Sequence, residues 1–179
     1  QNKRLSKILI KQFHIDKLFP MQQEVISYIL GQQSSSSSSS STLPVLGDVC
    51  VCAPTGSGKT LAYALPVVDQ LEKRIVPRLR ALVIVPTKEL ALQVRDVFKL
   101  LVVGSRLNLV CTTAAKRSFR QEQEMLQCAD SETTSSGVDI LITTPGRLVD
   151  HLDYTPGFTL EHLQFLIIDE ADRLLMEHF

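Results

Sequence analysis

The residues best equipped for chemistry form one stretch, Ala53-Pro54-Thr55-Gly56-Ser57-Gly58-Lys59-Thr60. Before it runs Val49-Cys50-Val51-Cys52, which reads as a buried strand, and after it Leu61, Leu65, Val68 and Leu71 recur at helical spacing. Strand, glycine-rich loop and helix in that order make a phosphate-binding loop. Gly56 and Gly58 let backbone N–H groups converge on phosphate oxygens with no Cβ in the way, and a helix opening near Lys59 turns its positive end to the same point. Lys59 would reach the β- and γ-phosphates of a nucleotide, and Thr60 would offer its hydroxyl to Mg²⁺. The general pattern opens with Gly where this chain has Ala53. A glycine- and serine-rich turn before a helix is the plain alternative, and the Gly-Lys-Thr ending weighs against it.

A second set, Asp169-Glu170-Ala171-Asp172, follows the apolar run Phe165-Leu166-Ile167-Ile168. In a phosphate-loop enzyme an acid at such a strand end holds Mg²⁺ through water, which falls to Asp169, and Glu170 is placed to orient or deprotonate the attacking water. An acidic helix start complementing the dipole explains acids here but not their position after an apolar strand. Two more polar turns leave strand ends, Pro86-Thr87-Lys88-Glu89-Leu90-Ala91 and Thr143-Thr144-Pro145-Gly146-Arg147. Each sets a Thr where an N-cap belongs, and Pro145 takes the first helical turn. Such helix starts offer free N–H groups to an anion, with Lys88 and Arg147 adding charge, so together they could bind successive phosphates of a strand. Ordinary helix caps are the alternative for either turn alone.

The elements that must position these turns are legible in the apolar pattern. Residues 3 to 13 and a segment opening at Pro20 and closing at Gly31 have helical spacing, and Ala81–Val85, Leu107–Cys111, Val138–Ile142 and Phe165–Ile168 read as strands. Between them Lys88–Leu101 and Arg117–Cys128 read as helices, and another begins at Glu170, where Leu174, Leu175 and Met176 look like core. Unbroken Val/Ile/Leu strands alternating with helices imply an α/β fold in three layers, with a mostly parallel central sheet whose ligands gather at the carboxyl ends of the strands. Residues 34–41 are eight serines in a row. Such a run has no apolar surface to bury and is expected to be a disordered insertion, so the chain divides into a helical region at 1–31, an insertion at 32–47 and an α/β domain at 48–179.

Composition narrows the class. Lys+Arg and Asp+Glu are both 19 in 179 residues, so nucleic-acid binding has to be local rather than a bulk electrostatic effect. No apolar run approaches a membrane span. The four cysteines show no zinc spacing, and His14, His151, His162 and His178 share no ligand spacing, which leaves the histidines solvent-facing or packing roles. The chain opens on Gln1 and stops at Phe179 inside an apparent helix, as a piece of something longer would.

In these motifs the chain resembles the DEAD-box RNA helicases. Ala53–Thr60 is similar to the family's motif I, its Ala included, Pro86–Ala91 to motif Ia, Thr144–Arg147 to motif Ib, and Asp169–Asp172 spells motif II. Leu18-Phe19-Pro20-Met21-Gln22 is similar to the Q motif, with Gln22 as its adenine-reading glutamine. The resemblance implies the first of two RecA-like domains of an ATP-dependent RNA helicase, an RNA-stimulated ATPase that opens short duplexes or remodels RNA–protein complexes. An ATP-gated RNA clamp or assembly scaffold is the alternative, and a DNA translocase a third. It implies ATP held by Gln22, Ala53, Pro54, Thr55, Gly56, Ser57, Gly58, Lys59 and Thr60, Mg²⁺ held by Thr60 and, partly through water, Asp169, and Lys59, Asp169 and Glu170 as the catalytic residues. RNA backbone would meet Pro86, Thr87, Lys88, Thr144, Gly146 and Arg147, while Asp172 would couple the ATP site to later motifs. The partners implied are RNA, a second RecA-like domain and pre-ribosomal proteins, with no membrane. The form of the Q motif is similar to nucleolar members that act in large ribosomal subunit assembly, which points to the nucleus and nucleolus, otherwise the cytoplasm. The chain departs from the family at Leu5, where an aromatic is usual, at Lys88, where Arg is usual, and around Thr113-Ala114-Ala115, where paired glycines are usual. The Ser-Ala-Thr motif is missing from it.

Overall fold

The computed structural model describes residues 2–34, 47–113, 118–127 and 137–176. Its contacts divide the chain into two units, residues 1–70 and 71–179. Residues 35–41 of the serine run, Ala114, Ala115, Lys116, Arg117, Cys128 and His178 lie outside the described residues.

The first unit is helical. Helix α1 (Lys3–Gln12) is capped by Asn2, whose side chain accepts the N–H groups of Arg4 and Leu5, and the Asn2 amide also donates to Asp69 Oδ1 at 2.9 Å. Helix α2 (Pro20–Ser34) opens on proline as expected but runs three residues past Gly31, because a glycine inside a helix is disfavoured by only about 1 kcal/mol and does not by itself end it. Helix α3 (Lys59–Leu71) buries Leu61, Ala62, Ala64, Leu65, Val67 and Val68. The segment before the phosphate loop differs from expectation: Val49–Cys52 forms no strand, and Val49, Cys50 and Cys52 are exposed. A strand exists only where a neighbour takes up its N–H and C=O groups, and no described strand pairs with these four residues.

The second unit carries the sheet. Strands β1 (Ala81–Ile84), β2 (Leu109–Thr112), β3 (Ile140–Thr143) and β4 (Phe165–Ile168) are all parallel, in the order β2-β3-β1-β4. One face, through Leu82, Val110 and Leu141, packs with Leu126 of helix α5 (Phe119–Leu126) and Leu148 of helix α6 (Pro145–Tyr154). Helix α4 (Lys88–Leu101) buries Ala91, Val94, Phe98 and Leu101 and meets β2 and β3. Every second residue of a strand turns to each face, so continuous apolar strands fit a sheet covered on both sides. At the amino ends of the strands the fully buried Asp139 takes Arg74 Nη2 at 2.7 Å and the Asn108 N–H at 2.8 Å, which pins the incoming segments of β2 and β3. The sheet departs from the expectation at β4, an edge strand whose Leu166 and Ile168 are exposed. Helix α7 (Ala171–Met176) buries no residue, and Leu175 and Met176, read as core from the sequence, are exposed. An apolar face is buried only against a neighbour, and no described element covers this one.

Candidate functional site

In the first unit the loop closes as its glycines allow. Gly56 and Gly58 take φ of +83° and +78°, the left-handed region in which a side chain is strained, and the Ser57 N–H donates back to the Pro54 carbonyl at 3.3 Å. The Lys59 ammonium folds over this turn and donates to the carbonyls of Ala53 at 2.6 Å and Pro54 at 3.1 Å. Neither acceptor is an anion. In the same loop Ser57 Oγ is buried and makes no hydrogen bond among the described residues. An ammonium that donates to carbonyls and a buried hydroxyl without a partner among the described residues are the groups that an incoming phosphate would satisfy. Thr60 follows in the first turn of α3, half-buried.

Gln22 braces this loop. Its side chain is almost fully buried, its Nε2 donates to the Gly58 carbonyl at 3.1 Å, and its Oε1 accepts the Phe19 N–H at 2.9 Å. A Cβ at position 58 would collide with the Gln22 amide, so Gly58 is favoured by its φ and a side chain there would displace Gln22. Beyond the two bonds the amide keeps one N–H and one oxygen lone pair.

In the second unit the register gathers the other turns. Ile84, Thr143 and Ile168 share a row with Thr112, so the chain leaves β1, β3, β4 and β2 side by side at one edge. At the end of β4 the Asp169 N–H donates to the Ile84 carbonyl at 3.0 Å, and Asp169 Oδ1 accepts the Glu170 N–H at 3.0 Å. Glu170 is held at φ +51°, where a non-glycine residue carries strain of about 1–3 kcal/mol. Its carbonyl accepts the N–H groups of Arg173 and Leu174, and its Oε2 takes Arg173 Nη1 at 2.8 Å. Strain of this kind collects at functional positions, and here it falls on the residue whose carboxylate the sequence assigns to the water. Asp172 is exposed in the first turn of α7. Among the described residues no three His, Cys, Asp or Glu side chains converge on a metal position.

The turns after β1 and β3 begin alike and are built differently. Thr87 Oγ1 accepts the Leu90 N–H at 3.2 Å and caps α4, leaving Lys88 exposed next to the half-buried Pro86. Thr144 stands at the cap of α6 but makes no cap bond, Pro145 occupies the first turn, and Gly146 is exposed. Arg147 turns inward. Its Nε donates to Glu122 Oε2 at 2.6 Å, its guanidinium carbon lies 4.7 Å from the centre of the Phe119 ring, and its side chain is 14% exposed.

Sequence reasoning missed what surrounds Arg147. Glu122, on α5, is buried and accepts the Thr113 N–H at 3.2 Å on Oε1. His151, one helical turn beyond Arg147, is fully buried, 3.3 Å from Glu122 Oε2 and 2.8 Å from Thr155 Oγ1, and it stacks on Phe119 at 4.8 Å. A carboxylate only accepts, so His151 Nε2 carries the proton and Nδ1 accepts from the Thr155 hydroxyl. Burial pushes the imidazole below its ordinary pKa, Glu122 pulls the other way, and the nearby Arg147 charge adds to the lowering. The signal available in the sequence was Arg147, His151 and Thr155 at four-residue spacing, which places them in one row from the first turn of α6 to its C-cap.

Residues 19–179 match the model of the DEAD/DEAH box helicase family. The chain is 49% identical over 161 residues to the ATP-dependent RNA helicase DDX51 of Danio rerio, covering 90% of this chain and 24% of that protein. It is 49% identical over 133 residues to the ATP-dependent RNA helicase dbp6 of Schizosaccharomyces pombe, covering 74% of this chain and 21% of that one. It therefore spans about a quarter of the length of these curated relatives. Among solved structures, that of the yeast DEAD-box splicing factor Prp28 superposes with a TM-score of 0.73 at 24% identity, over 97% of this chain and 37% of that one. That likeness shows the RecA-like fold.

Proposed function

The chain belongs to the DEAD/DEAH box helicase family, and from that footing we propose that it is the first RecA-like domain of an ATP-dependent RNA helicase, an RNA-stimulated ATPase that opens short RNA duplexes or remodels RNA–protein complexes. The observation that carries this reading is the loop itself: two glycines at positive φ, an ammonium that donates to backbone carbonyls, and a buried hydroxyl with no partner among the described residues. Lys59 leaves the carbonyls of Ala53 and Pro54 for the β- and γ-phosphates of ATP, while the backbone from Ala53 to Thr60 cradles them. Gln22 reads adenine with the N–H and lone pair its internal bonds leave over. Thr60 and, through water, Asp169 would hold Mg²⁺, which when bound would neutralise charge on the transferring phosphoryl group. Glu170 orients or deprotonates the attacking water. Asp172 couples this chemistry to motifs of a second RecA-like domain.

RNA lies along the edge where β1 and β3 end. Pro86, Thr87 and Lys88 meet its backbone at the start of α4, and Thr144, Gly146 and Arg147 at the start of α6. The same turns explain how a chain of zero net charge binds a polyanion. The Leu-Phe-Pro-Met-Gln form of the Q motif supports a place in the nucleolus and a role in large ribosomal subunit assembly, with pre-ribosomal proteins as partners.

The test is steady-state ATP hydrolysis by the full-length protein with and without RNA, beside Lys59→Ala and Glu170→Gln. Stimulation by RNA in the unmodified protein, lost in both variants, is expected. Nucleotide-dependent RNA binding without turnover in the unmodified protein would overturn the reading in favour of a clamp.

A further inference from the structure

We propose that Glu122 is a positioning residue for RNA binding: one buried carboxylate locks the start of α6 to the end of β2, and so sets where Thr144, Gly146 and Arg147 meet the RNA backbone. The inference rests on the reading that these three residues contact RNA. It begins from a missing restraint. The start of α4 is fixed locally, because Thr87 caps it. The start of α6 has no such bond, since the Thr144 side chain stands at the cap position without accepting a helix N–H, and Gly146 has open space where a side chain would be. What holds this turn in place comes from another helix.

Glu122 supplies that hold from the middle of α5 with both oxygens. Oε1 accepts the N–H of Thr113, which directly follows β2 on the edge where the anion-facing turns gather. Oε2 takes the Arg147 guanidinium at 2.6 Å and lies 3.3 Å from His151 Nε2. The two side-chain partners sit one turn apart on α6, so the carboxylate fixes the rotation of that helix as well as its distance from β2. Phe119, one turn before Glu122, closes the arrangement by lying under both the guanidinium and the imidazole. Without Glu122, Arg147 keeps the long contact to Asp150 at 3.4 Å and the ring of Phe119. Neither fixes the planar fork in one orientation. A buried charged hydrogen bond does so, being short, directional and shielded from water.

The experiment uses the full-length protein and reads the RNA concentration for half-maximal ATPase stimulation, the KM for ATP, and the melting temperature. Glu122→Ala is expected to raise the RNA half-saturation about tenfold, the size of one lost charged hydrogen bond, with the KM for ATP unchanged. Glu122→Gln keeps the volume and an acceptor oxygen and should recover most of that loss; it also carries the test if the alanine variant does not fold. Thr155→Val breaks the other bond of His151 without touching Arg147, and should lower the melting temperature while leaving RNA half-saturation where it was. Should Glu122→Ala shift RNA half-saturation no more than Thr155→Val at a matched loss of stability, Glu122 is structural only and the inference fails. RNA stimulation that survives Thr144→Ala and Arg147→Ala with the half-saturation unmoved would overturn the contact, and this inference with it, while leaving the helicase reading in place. No stimulation in the unmodified protein would overturn both.

Discussion

Helices α4 and α6 start on the same sheet edge, from turns of the same make, and handle their polar groups in opposite ways. At α4 the Thr87 hydroxyl is turned into the helix and Lys88 stands out in solvent. At α6 the Thr144 hydroxyl makes no cap bond and Arg147 is folded onto a buried carboxylate. The difference comes from the neighbour. Glu122 and Phe119 sit where Arg147 can reach them, whereas the acid beside Lys88 is Glu89, exposed on the same turn. One start is therefore self-sufficient and carries an exposed charge, while the other is a joint between elements and carries one fixed by a buried partner. Under the proposed RNA contact, a phosphate would meet an exposed charge at the first and preset geometry at the second.

Removing each cation in turn is the strongest way to break this contrast. Arg147→Ala strands the Glu122 carboxylate in the interior with the Thr113 N–H and a neutral imidazole, and should lower stability by about 3 to 5 kcal/mol, the usual loss when one partner of a buried ion pair is deleted. Lys88→Ala should leave the unfolding transition in place and show itself only in RNA binding, where the slope of log affinity against log salt should fall by about 0.7 for one phosphate contact to a single strand. Denaturant unfolding and a salt titration of RNA binding decide the matter. Equal stability losses at the two positions would mean that Arg147 is not buried in the ion pair described.

The two threonines offer a smaller version of the same comparison. Thr87→Ala removes a formed N-cap and should lower stability by about 1 kcal/mol, whereas Thr144→Ala removes none and should leave stability unchanged. If both variants unfold at the same denaturant concentration, the caps do not differ and the contrast dissolves.

What could be read in advance was whatever depends on near neighbours in the chain. The bounds of α4 and β4, the glycine turn before α3, and the place of Asp169 and Glu170 directly after β4 follow from periodicity and turn chemistry over a few residues. The failures share the opposite dependence. Val49–Cys52 has the composition of a strand, yet pairing requires a second strand that local pattern does not supply. Leu175 and Met176 have the apolarity of a core without a described element to bury them. Arg147 was legible as a cation at a helix start, but its partner Glu122 lies 25 residues away, and only folding of α5 against α6 makes that carboxylate a neighbour. His151 read as a bland histidine for the same reason.

His151 also lets the comparison be sharpened by pH. Its pKa is lowered by burial, so below the ordinary value of 6.5 the unfolded chain takes up a proton that the folded chain resists. The sign follows: the folded state is at full strength above about pH 6.5, weakens as pH falls through the window beneath it, and stops losing ground once the buried imidazole also protonates. The groups facing the ring are Glu122 from α5, Arg147, Asp150 and Thr155 from α6 and its end, and Phe119 beneath it. Protonation would also compel Nδ1 to donate where it now accepts, so Thr155 must turn its hydroxyl, and the second charge beside Arg147 would compete for Glu122 Oε2. The start of α6 should therefore loosen in acid while that of α4, which has no buried imidazole, holds. Hydrogen exchange at the Leu148 N–H compared with the Ala91 N–H between pH 7 and pH 5, corrected for intrinsic rates, measures this directly. Protection lost at Leu148 but kept at Ala91, and restored by His151→Gln, is the expected pattern; parallel loss at both would mean that His151 does not govern the joint.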